Sequence, residues 1–546
     1  MQFLGRHFGA WVNDGRFQSV VVVLFVAVCT VFALWPLRGR VWGSRWFYCG
    51  LLMAAMVVSR LPWLAAGSLN PDEGQFLAGA RRLLFDPVFW RSVDGNTSGP
   101  LNFYALLVPR IIGLPLDYAT AHLMNSICFG TLSATAYLAS RGLLSEKLAR
   151  LSALPVLAAT MNLRNPELMH YSSECLSVAL LGIAIWKLSE AYQERLSPRG
   201  YALIGVIIGA LPLAKLQTLP IGAVVFAAAA LLAIRRLRRA ESEREGLALL
   251  AGVGAVLVTL GLFLLAFDLG HTFWTSYVES NILYATQDVP FWSAGLFTRY
   301  VLQSDLGPPL LGIVGFAALA PVWWRLRERN ATGARALPRL LIFGAVVFVF
   351  ALYAVYRPGR PFPHYLLLMT IPAAVIPPLA VRLIRGTMES WQGLVVLLMT
   401  TVALPILYLG SSPQPGMQRL FSERKTESTH TCDVIKQVAK PGDLVAVWGW
   451  EPYLYVCSGT IQATRDSVSA LQVLPSPLRD YYRERYFQDL TRSEPRVFVD
   501  AVGPGRDFMT DRNSQGHEVI GAAGIYVAEN YRLVAEVDGA RVYLRK

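Results

Sequence analysis

The stretch LLMAAMVVSRLPWLAAGSLNPDEGQFLAGARRLLF (residues 51–85) joins an apolar run to a polar helix start. The apolar run is long enough to predict a membrane span. Asn70 and Pro71 then predict the start of a new helix, because Asn is a favoured N-cap and Pro is favoured at the first helical position. The first turn of this helix carries two adjacent carboxylates, Asp72 and Glu73. The stretch therefore predicts an acid pair where lipid gives way to water.

The composition is that of a membrane protein. Of 546 residues, 54% are hydrophobic and only 16% are charged, and the mean hydropathy is +0.41. Such a chain is too apolar for an ordinary soluble protein. The net charge of +13 comes largely from Lys and Arg at the ends of apolar runs, which is a signal of membrane topology rather than of nucleic-acid binding. No small-residue cleavage site follows the first apolar run, so we expect no cleaved signal peptide.

The apolar runs predict a polytopic α-helical protein with about 12 spans. Two of the runs, 149–162 and 201–214, are short, which is allowed for segments buried in protein. Lys and Arg fall in alternate connections, as in RRLRR (235–239). Those connections are therefore expected on the cytoplasmic side, and the others, including 67–116, outside. The predicted spans lie near 18–36, 46–66, 117–140, 149–162, 172–191, 201–214, 216–234, 246–268, 306–324, 338–356, 364–381 and 391–409.

Residues 410–546 contain no predicted span and have an α/β pattern. The sequence thus predicts a transmembrane domain at 1–409, with an outer loop at 67–116, and a soluble outer domain at 410–546. Cys432 and Cys457 lie in this outer domain, where an oxidising compartment favours a disulfide; two unpaired buried thiols are the alternative. The expected elements are helices around 428–439 and 478–493 and strands at 444–449, 496–501, 531–537 and 540–546, with a hairpin at Asp538–Gly539.

Asp72 and Glu73 have two interpretations. Carboxylates in the first turn stabilise a helix by roughly 0.3–1 kcal/mol, so capping alone explains the pair. A carboxylate that is partly desolvated at the interface can instead act as a general base, because its pKa rises toward the range that removes a hydroxyl proton. Both interpretations stay open from the residues alone.

Outer cations break the positive-inside pattern in YRPGRPFPHY (356–365). Arg357, Arg360 and His364 stand at the outer start of a predicted span, beside Tyr365. A guanidinium presents a planar fork that matches phosphate oxygens. We interpret the three cationic residues as binding the phosphate of a donor, and interfacial anchoring is the alternative.

Lys215 is a lone charge between two short apolar runs in LPLAKLQTLPIG (211–222). A charge at membrane depth is costly and indicates function by default. We add Lys215 to the phosphate-binding residues; snorkelling of its ammonium at a helix end is the alternative.

Two further outer segments are polar and aromatic. NPELMHYSSE (165–174) carries Glu167, His170 and Glu174, and DLGHTFWTSYVESNILY (268–284) carries His271. We interpret His170, Glu174 and His271, together with Tyr365, as candidate substrate contacts, and polar loop rims are the alternative. Their spacing matches no recognised metal site. We therefore predict no cofactor, with a divalent metal as an open alternative.

An outer carboxylate and outer cations at the lipid boundary fit one class of reaction. A sugar carried on a polyprenyl phosphate has its lipid in the bilayer and its anomeric carbon at the surface. Cations would stabilise the leaving phosphate while a carboxylate takes the proton of the acceptor hydroxyl. In-line attack by that hydroxyl inverts the anomeric carbon.

Four stretches together resemble the bacterial branch of the protein O-mannosyltransferase-like family, which has the GT-C membrane glycosyltransferase fold and the lipid A aminoarabinose transferases as relatives. The resemblance implies a polyprenyl-phosphate sugar donor and a catalytic acid in the first outer loop. By position, Asp72 becomes the candidate base and Glu73 its supporting carboxylate, while Arg360 and His364 match the family's basic and aromatic patch. The stretches are RLPWLAAGSLNPDEGQFLAGARRLL (60–84), SGPLNFYALL (98–107), LAKLQTLPIG (213–222) and GRPFPHYLLLMTIP (359–372).

The resemblance covers about residues 46–409. The first predicted span and the outer α/β domain depart from the eukaryotic members, so a protein acceptor is not inherited. In the outer domain, Trp448, Trp450 and Tyr453 are candidates for stacking on a sugar, with the domain core as the alternative and the favoured interpretation for Trp448.

The sequence therefore predicts an inverting, metal-independent hexosyl- or pentosyltransferase of the bacterial inner membrane. It would move a sugar from a polyprenyl-phosphate donor to a glycan, lipid or protein in the periplasm, and the outer domain would position that acceptor. Membrane lipids and these substrates are the expected partners, and nucleic acid is not. The alternatives are a ligase or polymerase of lipid-linked oligosaccharides and a transporter. A transporter is disfavoured because the charges lie at the outer rim and no internal repeat is visible.

Overall fold

The computed structural model describes residues 16–35, 43–64, 66–286, 295, 301, 304, 306–327, 337–360, 362–384, 429–506 and 508–546. Helices form most of the described chain up to residue 384. The longer ones are α1 (Arg16–Leu34), α2 (Arg45–Ser59), α3 (Pro71–Leu83), α4 (Tyr118–Ser140), α5 (Ser173–Tyr192), α6 (Pro198–Ala214), α7 (Leu219–Arg238), α8 (Arg244–Ala266), α9 (Gly307–Arg327), α10 (Leu337–Tyr356) and α11 (Thr370–Ile384). Shorter helical segments between them are Leu61–Leu64, Pro100–Ala105, Val108–Ile111, Glu146–Ser152, Leu154–Met161, Pro166–Met169, Leu216–Thr218, Gly270–Phe273, Trp274–Glu279, Ser280–Thr286 and Pro363–Met369.

Helices lie at the predicted span positions in the described part of the chain. The short prediction at 149–162 is divided into two helices, because Pro155 begins the second one. The last predicted span, 391–409, lies outside the described residues. The polytopic helical character is thus confirmed, and the count of about 12 spans stays a prediction. Helices long and apolar enough to cross a bilayer are Ser173–Tyr192, Leu216–Arg238, Arg244–Ala266 and Pro363–Arg382; shorter apolar helices are Val20–Leu34, Arg45–Ser59, Pro198–Ala214, Gly307–Leu319 and Ile342–Tyr356.

Glycines allow α6 and α8 to approach each other closely. A Cβ at Gly205 would lie 2.1 Å from the carbonyl oxygen of Leu249, and a Cβ at Gly252 would lie 2.1 Å from that of Ala202. Backbone contact through small residues is a common way for helices to associate in lipid. The segment Pro363–Arg382, in contrast, is 94% buried within the bundle. The chain thus holds the residues around His364 in the interior.

Beyond residue 429 the chain forms a five-stranded mixed sheet. The strand order is β2-β1-β3-β5-β4, with β1 parallel to β2 and β3, and with β5 antiparallel to β3 and β4. Helix α12 covers one face of the sheet, and α13 and α14 cover the other. The elements are α12 (His430–Val438), β1 (Leu444–Gly449), β2 (Ile461–Gln462), α13 (Arg479–Ser493), β3 (Val497–Ala501), α14 (Gly521–Asn530), β4 (Tyr531–Val537) and β5 (Ala540–Arg545), with short helices at Tyr453–Ser458, Ala470–Val473, Arg512–Gln515 and His517–Val519.

The predicted strands and hairpin of this region are confirmed. Asp538 and Gly539 have φ values of 50° and 75°, the left-handed conformation that a tight hairpin between twisted strands requires. The predicted disulfide between Cys432 and Cys457 is also confirmed, with a Cα–Cα distance of 6.3 Å. Strand β2 was not predicted, since two residues are too few to show an alternating pattern.

Buried charges join the sheet region to residues 67–116, the predicted outer loop, which is called the outer segment below. Arg485 on α13 lies 2.6 Å from Asp94 of that segment and 2.6 Å from Asp466 of the sheet region. The backbone N–H of Asp94 also donates to the carbonyl oxygen of Arg465 at 2.9 Å. The sheet region therefore lies on the same side of the helical part as α3, the helix that begins with the acid pair.

Candidate active site

Asp72 lies in the first turn of α3, and its carboxylate does not cap the helix. Its backbone N–H donates to Asn70 Oδ1 at 2.8 Å, so Asn70 supplies the N-cap. The Asp72 side chain is half-buried, and no residue that the structure describes donates a hydrogen bond to its carboxylate. An acid with free oxygens at such a position is able to accept a proton from a bound hydroxyl.

Glu73 has different surroundings from Asp72. Its fully buried carboxylate accepts the backbone N–H groups of Leu69 at 3.1 Å and Tyr171 at 2.6 Å, and lies 3.1 Å from His122 Nε2. These contacts fix α3 to α4 and to the connection after residue 162. The sequence assigned Glu73 as a supporting carboxylate beside Asp72. Buried protein groups occupy both of its oxygens, which favours a positioning role; its part as the supporting carboxylate of Asp72 stays a prediction.

Lys215 follows the last turn of α6, where two groups of the outer segment hold the helix end. The Gly99 N–H donates to the carbonyl oxygen of Ala214 at 3.0 Å, and Asn102 Nδ2 donates to the same oxygen at 2.6 Å. A buried helix end needs such donors for its last carbonyls. A Cβ at Gly99 would lie 2.0 Å from the carbonyl oxygen of Leu213, so glycine is required at this close approach.

The ammonium of Lys215 is buried among polar groups. Its Nζ lies 2.8 Å from Ser173 Oγ, 3.3 Å from Glu174 Oε1 and 5.5 Å from the centroid of the Tyr365 ring. Lys215 and Glu174 are both almost fully buried, so each compensates the charge of the other. The structure thus brings together three of the residues that the sequence singled out.

Glu167 joins His364 to the start of α3. Its Oε2 lies 3.1 Å from His364 Nδ1, and its Oε1 accepts a hydrogen bond from Asn70 Nδ2 at 2.5 Å. The ring of His170 lies 5.3 Å from that of His364, edge to face. Burial raises the pKa of Glu167, but the His364 hydrogen bond and the two nearby histidines outweigh it and bring the pKa to about 2. Glu167 is therefore ionised at neutral pH and bound to its partners.

Tyr284 connects Arg360 with the residues around Lys215. The Arg360 guanidinium lies 5.4 Å from the centroid of the Tyr284 ring, and the Tyr284 and Tyr365 hydroxyls are 3.0 Å apart. The pKa of Tyr284 is raised to about 12, mainly by burial; the Tyr365 hydrogen bond and the charge of Arg360 lower it, and the charges of Asp72 and Glu174 add to the rise. Asp72 also lies within electrostatic range of His364. Asp72 thus lies near Tyr284 and His364.

Arg357 and His271, two of the predicted site residues, contact groups outside the cluster around Lys215 and His364. Arg357 is half-buried and donates to the carbonyl oxygen of Ala285, so it holds the end of Ser280–Thr286. His271 is exposed, and its ring lies 5.9 Å from that of Tyr481 in the sheet region. Within the described residues, His271 makes no contact with the residues around Asp72. Its assignment as a substrate contact stays a prediction.

One group among the described residues has the spacing of a metal site, namely Asp500, His517 and Glu518 in the sheet region. Arg541 Nη2 lies 2.7 Å from Asp500 Oδ2 and 2.8 Å from Glu518 Oε1. A protein cation thus already neutralises this acidic group. It belongs to the sheet region and not to the cluster around Lys215 and His364.

The sequence interpretation missed the roles of Asn70, Glu167, Ser173 and Tyr284. In the sequence, Asn70 and Ser173 are typical of helix starts. Their neighbours in sequence do not indicate that Asn70 contacts Glu167 or that Ser173 contacts Lys215. One signal was available for Glu167: the pattern Asn-Pro-acid occurs at both 70–72 and 165–167. Both copies begin a helix with Asn as its N-cap, and the structure joins them through the Asn70–Glu167 hydrogen bond.

Neither a family model nor a curated protein matches the sequence. Among solved structures, ArnT from Cupriavidus metallidurans bound to undecaprenyl phosphate is similar with a TM-score of 0.57 and 14% identity, covering 96% of this chain and 97% of that chain. The apo state of the same protein gives a TM-score of 0.53 and 13% identity over the same shares of the two chains. The likeness spans nearly all of both chains and confirms the fold that the four sequence stretches implied.

Proposed function

We propose that this chain is an inverting glycosyltransferase that takes a sugar from a polyprenyl-phosphate donor. The observation that carries the proposal is the free carboxylate of Asp72 within electrostatic range of His364 and of Tyr284, whose ring lies under the Arg360 guanidinium. The shared fold supports the class of donor, because the ArnT structure was obtained with undecaprenyl phosphate.

The donor phosphate would bind at the outer cations. Arg360 offers a planar fork to two phosphate oxygens, and the Lys215 ammonium reaches the same region from beside Tyr365. Glu174 pairs with Lys215, so that neither buried charge is without a partner. An arriving phosphate would share this ammonium with Glu174.

The chemical step uses Asp72 as the base. The acceptor hydroxyl gives its proton to Asp72 while its oxygen bonds to the anomeric carbon of the sugar. The bond from that carbon to the phosphate oxygen breaks, and polyprenyl phosphate leaves with the electron pair. Arg360 and Lys215 stabilise the charge that develops on the leaving phosphate. The anomeric carbon inverts because attack and departure are in line.

The acceptor would approach from the side of the sheet region. Gly74, one residue after Glu73, lies against this region: a Cβ there would be 2.9 Å from the backbone nitrogen of Tyr453. Close by in sequence, Trp450 lies 5.0 Å from the exposed ring of Phe508. Trp448 is unavailable, because it is fully buried. We propose that Trp450 and Tyr453 contact the acceptor.

Catalysis would proceed without a metal. The other carboxylates near Asp72 already have cationic or donor partners, since Glu167 binds His364, Glu174 binds Lys215 and Glu73 binds His122 and two backbone amides. A divalent cation at this position would have to displace one of these protein groups.

We also propose where the protein lies in the cell and how its chain is divided into domains. The cationic connections would face the cytoplasm across a bacterial inner membrane, and Asp72 would face the periplasm. A transmembrane domain would extend to residue 409, and a periplasmic α/β domain would extend from 410 to the end. The acceptor would be a periplasmic glycan, lipid or protein, and the remaining partners would be membrane lipids.

Transfer of a whole lipid-linked oligosaccharide is the second candidate among enzymes, because the same base and cations would serve it. A transporter is supported less well. Its ionisable groups should line a path through the bilayer, whereas Asp72, Lys215 and His364 lie at the ends of their helices.

The proposal is tested with the full-length chain in lipid nanodiscs, a panel of polyprenyl-phosphate sugars, and glycan, lipid and peptide acceptors. Mass spectrometry would measure the release of polyprenyl phosphate, and the same lipid without a sugar would be used to measure binding. We expect binding of polyprenyl phosphate and release from at least one donor. No specific binding of polyprenyl phosphate to the folded protein would contradict the proposed function directly.

A further inference from the structure

A cavity of about 580 Å³ lies between α4, α5, α7, α10 and α11, apart from the cluster around Asp72. Its volume falls in the range of about 300–1,000 Å³ that small-molecule sites have. On α7 its lining runs from Ala223 to Arg235, about 18 Å along the helix axis. This length is close to half of the bilayer hydrocarbon, which is about 30 Å thick. The small residues that leave the space open are Ala136, Ala139, Gly182, Ala223, Ala227 and Ala228.

The interior of the cavity offers almost no hydrogen bonds to a ligand. Four hydroxyl residues line it. Three of them donate to a carbonyl of their own helix: Thr135 to Thr131 at 2.8 Å, Ser140 to Ala136 at 2.6 Å and Ser189 to Trp186 at 2.8 Å. The fourth, Tyr192, is exposed. The remaining lining is mostly aliphatic and aromatic. The body of a ligand in this space must therefore be hydrocarbon.

Arg235 is the charged residue of the described lining, and it stands at the end of α7 away from Lys215. No carboxylate of the described chain lies within ion-pair distance of it. Arg236 pairs with Glu245 at 3.1 Å and Arg239 pairs with Glu194 at 2.8 Å; Arg235 and Arg238 are both exposed, and of these two only Arg235 lines the cavity. The cavity thus has one uncompensated positive charge at the mouth of an apolar interior.

The cavity opens sideways and not toward the donor cluster. Leu231 and Ile342 line it and are more than half exposed, which gives lipid an entry between α7 and α10. On the other side, the lining of α7 begins at Ala223, about 12 Å below Lys215 along the chain. Asp72, Lys215, Arg360 and His364 are all absent from the lining of the cavity. The cavity is thus separate from the residues that are proposed to bind the donor phosphate.

We propose that the cavity binds one acyl chain of an anionic phospholipid from the leaflet that faces RRLRR (235–239), with the lipid phosphate against Arg235. The hydrocarbon interior fits the chain, the depth fits a single leaflet, and the unpaired guanidinium fits the headgroup. Basic pockets between transmembrane helices on the cytoplasmic side are known sites for anionic headgroups. The proposed lipid is a bound component of the protein and is independent of its reaction.

The test uses the full-length chain, delipidated in detergent and then incubated with phosphatidylglycerol or phosphatidylcholine of the same acyl chains. Native mass spectrometry counts the bound lipid. We expect a preference for phosphatidylglycerol that Arg235→Ala reduces about fivefold, the factor that corresponds to about 1 kcal/mol for one arginine at the membrane surface. Arg238→Ala is the matched control: Arg238 is exposed and three residues away but does not line the cavity, so this variant should bind as the parent does.

A second variant, Ala228→Phe, fills the cavity without removing a charge and should abolish the retained phosphatidylglycerol. Equal binding of the two lipids would overturn the proposal, and so would equal losses in the Arg235 and Arg238 variants. Added polyprenyl phosphate should leave the bound phosphatidylglycerol in place. Its one-for-one displacement would show that the cavity holds the donor tail instead, which would also overturn the proposal.

Discussion

The side-chain amide of Asn70 lies 2.5 Å from Glu167 Oε1, although 97 residues separate the two in sequence. The same Asn70 caps the helix that carries Asp72, and the same Glu167 binds His364. One amide therefore ties the candidate base to the candidate phosphate-binding residues. A general base must be held within hydrogen-bond distance of the hydroxyl from which it takes a proton. The Asn70–Glu167 hydrogen bond helps to hold Asp72 in place.

The first prediction concerns Asp72→Asn. Asn has the same shape but cannot accept the proton of an acceptor hydroxyl, so turnover should fall by about 10² or more. Donor binding should change little. The control is Asp117→Asn, since Asp117 caps α4 through the Thr120 N–H and Asn caps equally well. Near-normal turnover in a folded Asp72→Asn protein would contradict the assignment.

The second prediction concerns Arg360→Ala. Loss of the guanidinium should weaken binding of polyprenyl phosphate by roughly 1.5–3 kcal/mol, the range for hydrogen bonds to charged groups. Titration of the lipid into nanodiscs carrying the protein measures the affinity. Arg110→Ala removes an exposed cation of the outer segment and should bind as the parent does. An affinity unchanged by Arg360→Ala would remove Arg360 from the site.

The third prediction separates Glu73 from Asp72. Glu73→Ala leaves the Leu69 and Tyr171 amides and His122 without their acceptor, and each unsatisfied buried group costs about 1–3 kcal/mol. Thermal unfolding should therefore occur at a clearly lower temperature. Asp72→Asn should unfold at a temperature close to that of the parent. So should Glu190→Ala, which removes the partly exposed ion pair between Lys187 and Glu190, since surface ion pairs contribute about 0–1 kcal/mol. A stable but inactive Glu73→Ala protein would favour a direct catalytic role.

The fourth prediction concerns Gly99→Ala. The new Cβ would lie 2.0 Å from the Leu213 carbonyl oxygen, so the end of α6 must shift and Lys215 with it. We expect weaker donor binding. Gly270→Ala is the control, because nothing lies within 4 Å of its Cβ position. Equal donor affinity in the two variants would show that the end of α6 does not position Lys215.

The fifth prediction concerns the Cys432–Cys457 disulfide. The bridge closes a 25-residue separation, which in the chain-entropy model stabilises the sheet region by about 3.5 kcal/mol. Peptide mapping without reductant should recover the two cysteines in one linked species, and the double Ser variant should unfold earlier in denaturant. Alkylation of both thiols in the untreated protein would contradict the bridge.

Local patterns were sufficient where the structure depends on neighbours in sequence. The alternating strands, the Asp538–Gly539 turn and the helix start at Asn70 were predictable for this reason. The role of Glu73 was not, because its partners Tyr171 and His122 are 98 and 49 residues away. The two-residue strand β2 was likewise set by its pairing with β1, which periodicity alone does not report.

The bridge from Asp94 through Arg485 to Asp466 limits how this protein can be recombined with its structural relatives. A chimera that exchanges only the C-terminal region would leave Asp94 buried without its guanidinium, and removing one partner of a buried pair costs about 3–5 kcal/mol. The segment 67–116 and the sheet region should therefore be transplanted as one unit, even though residues 117–428 separate them in the sequence.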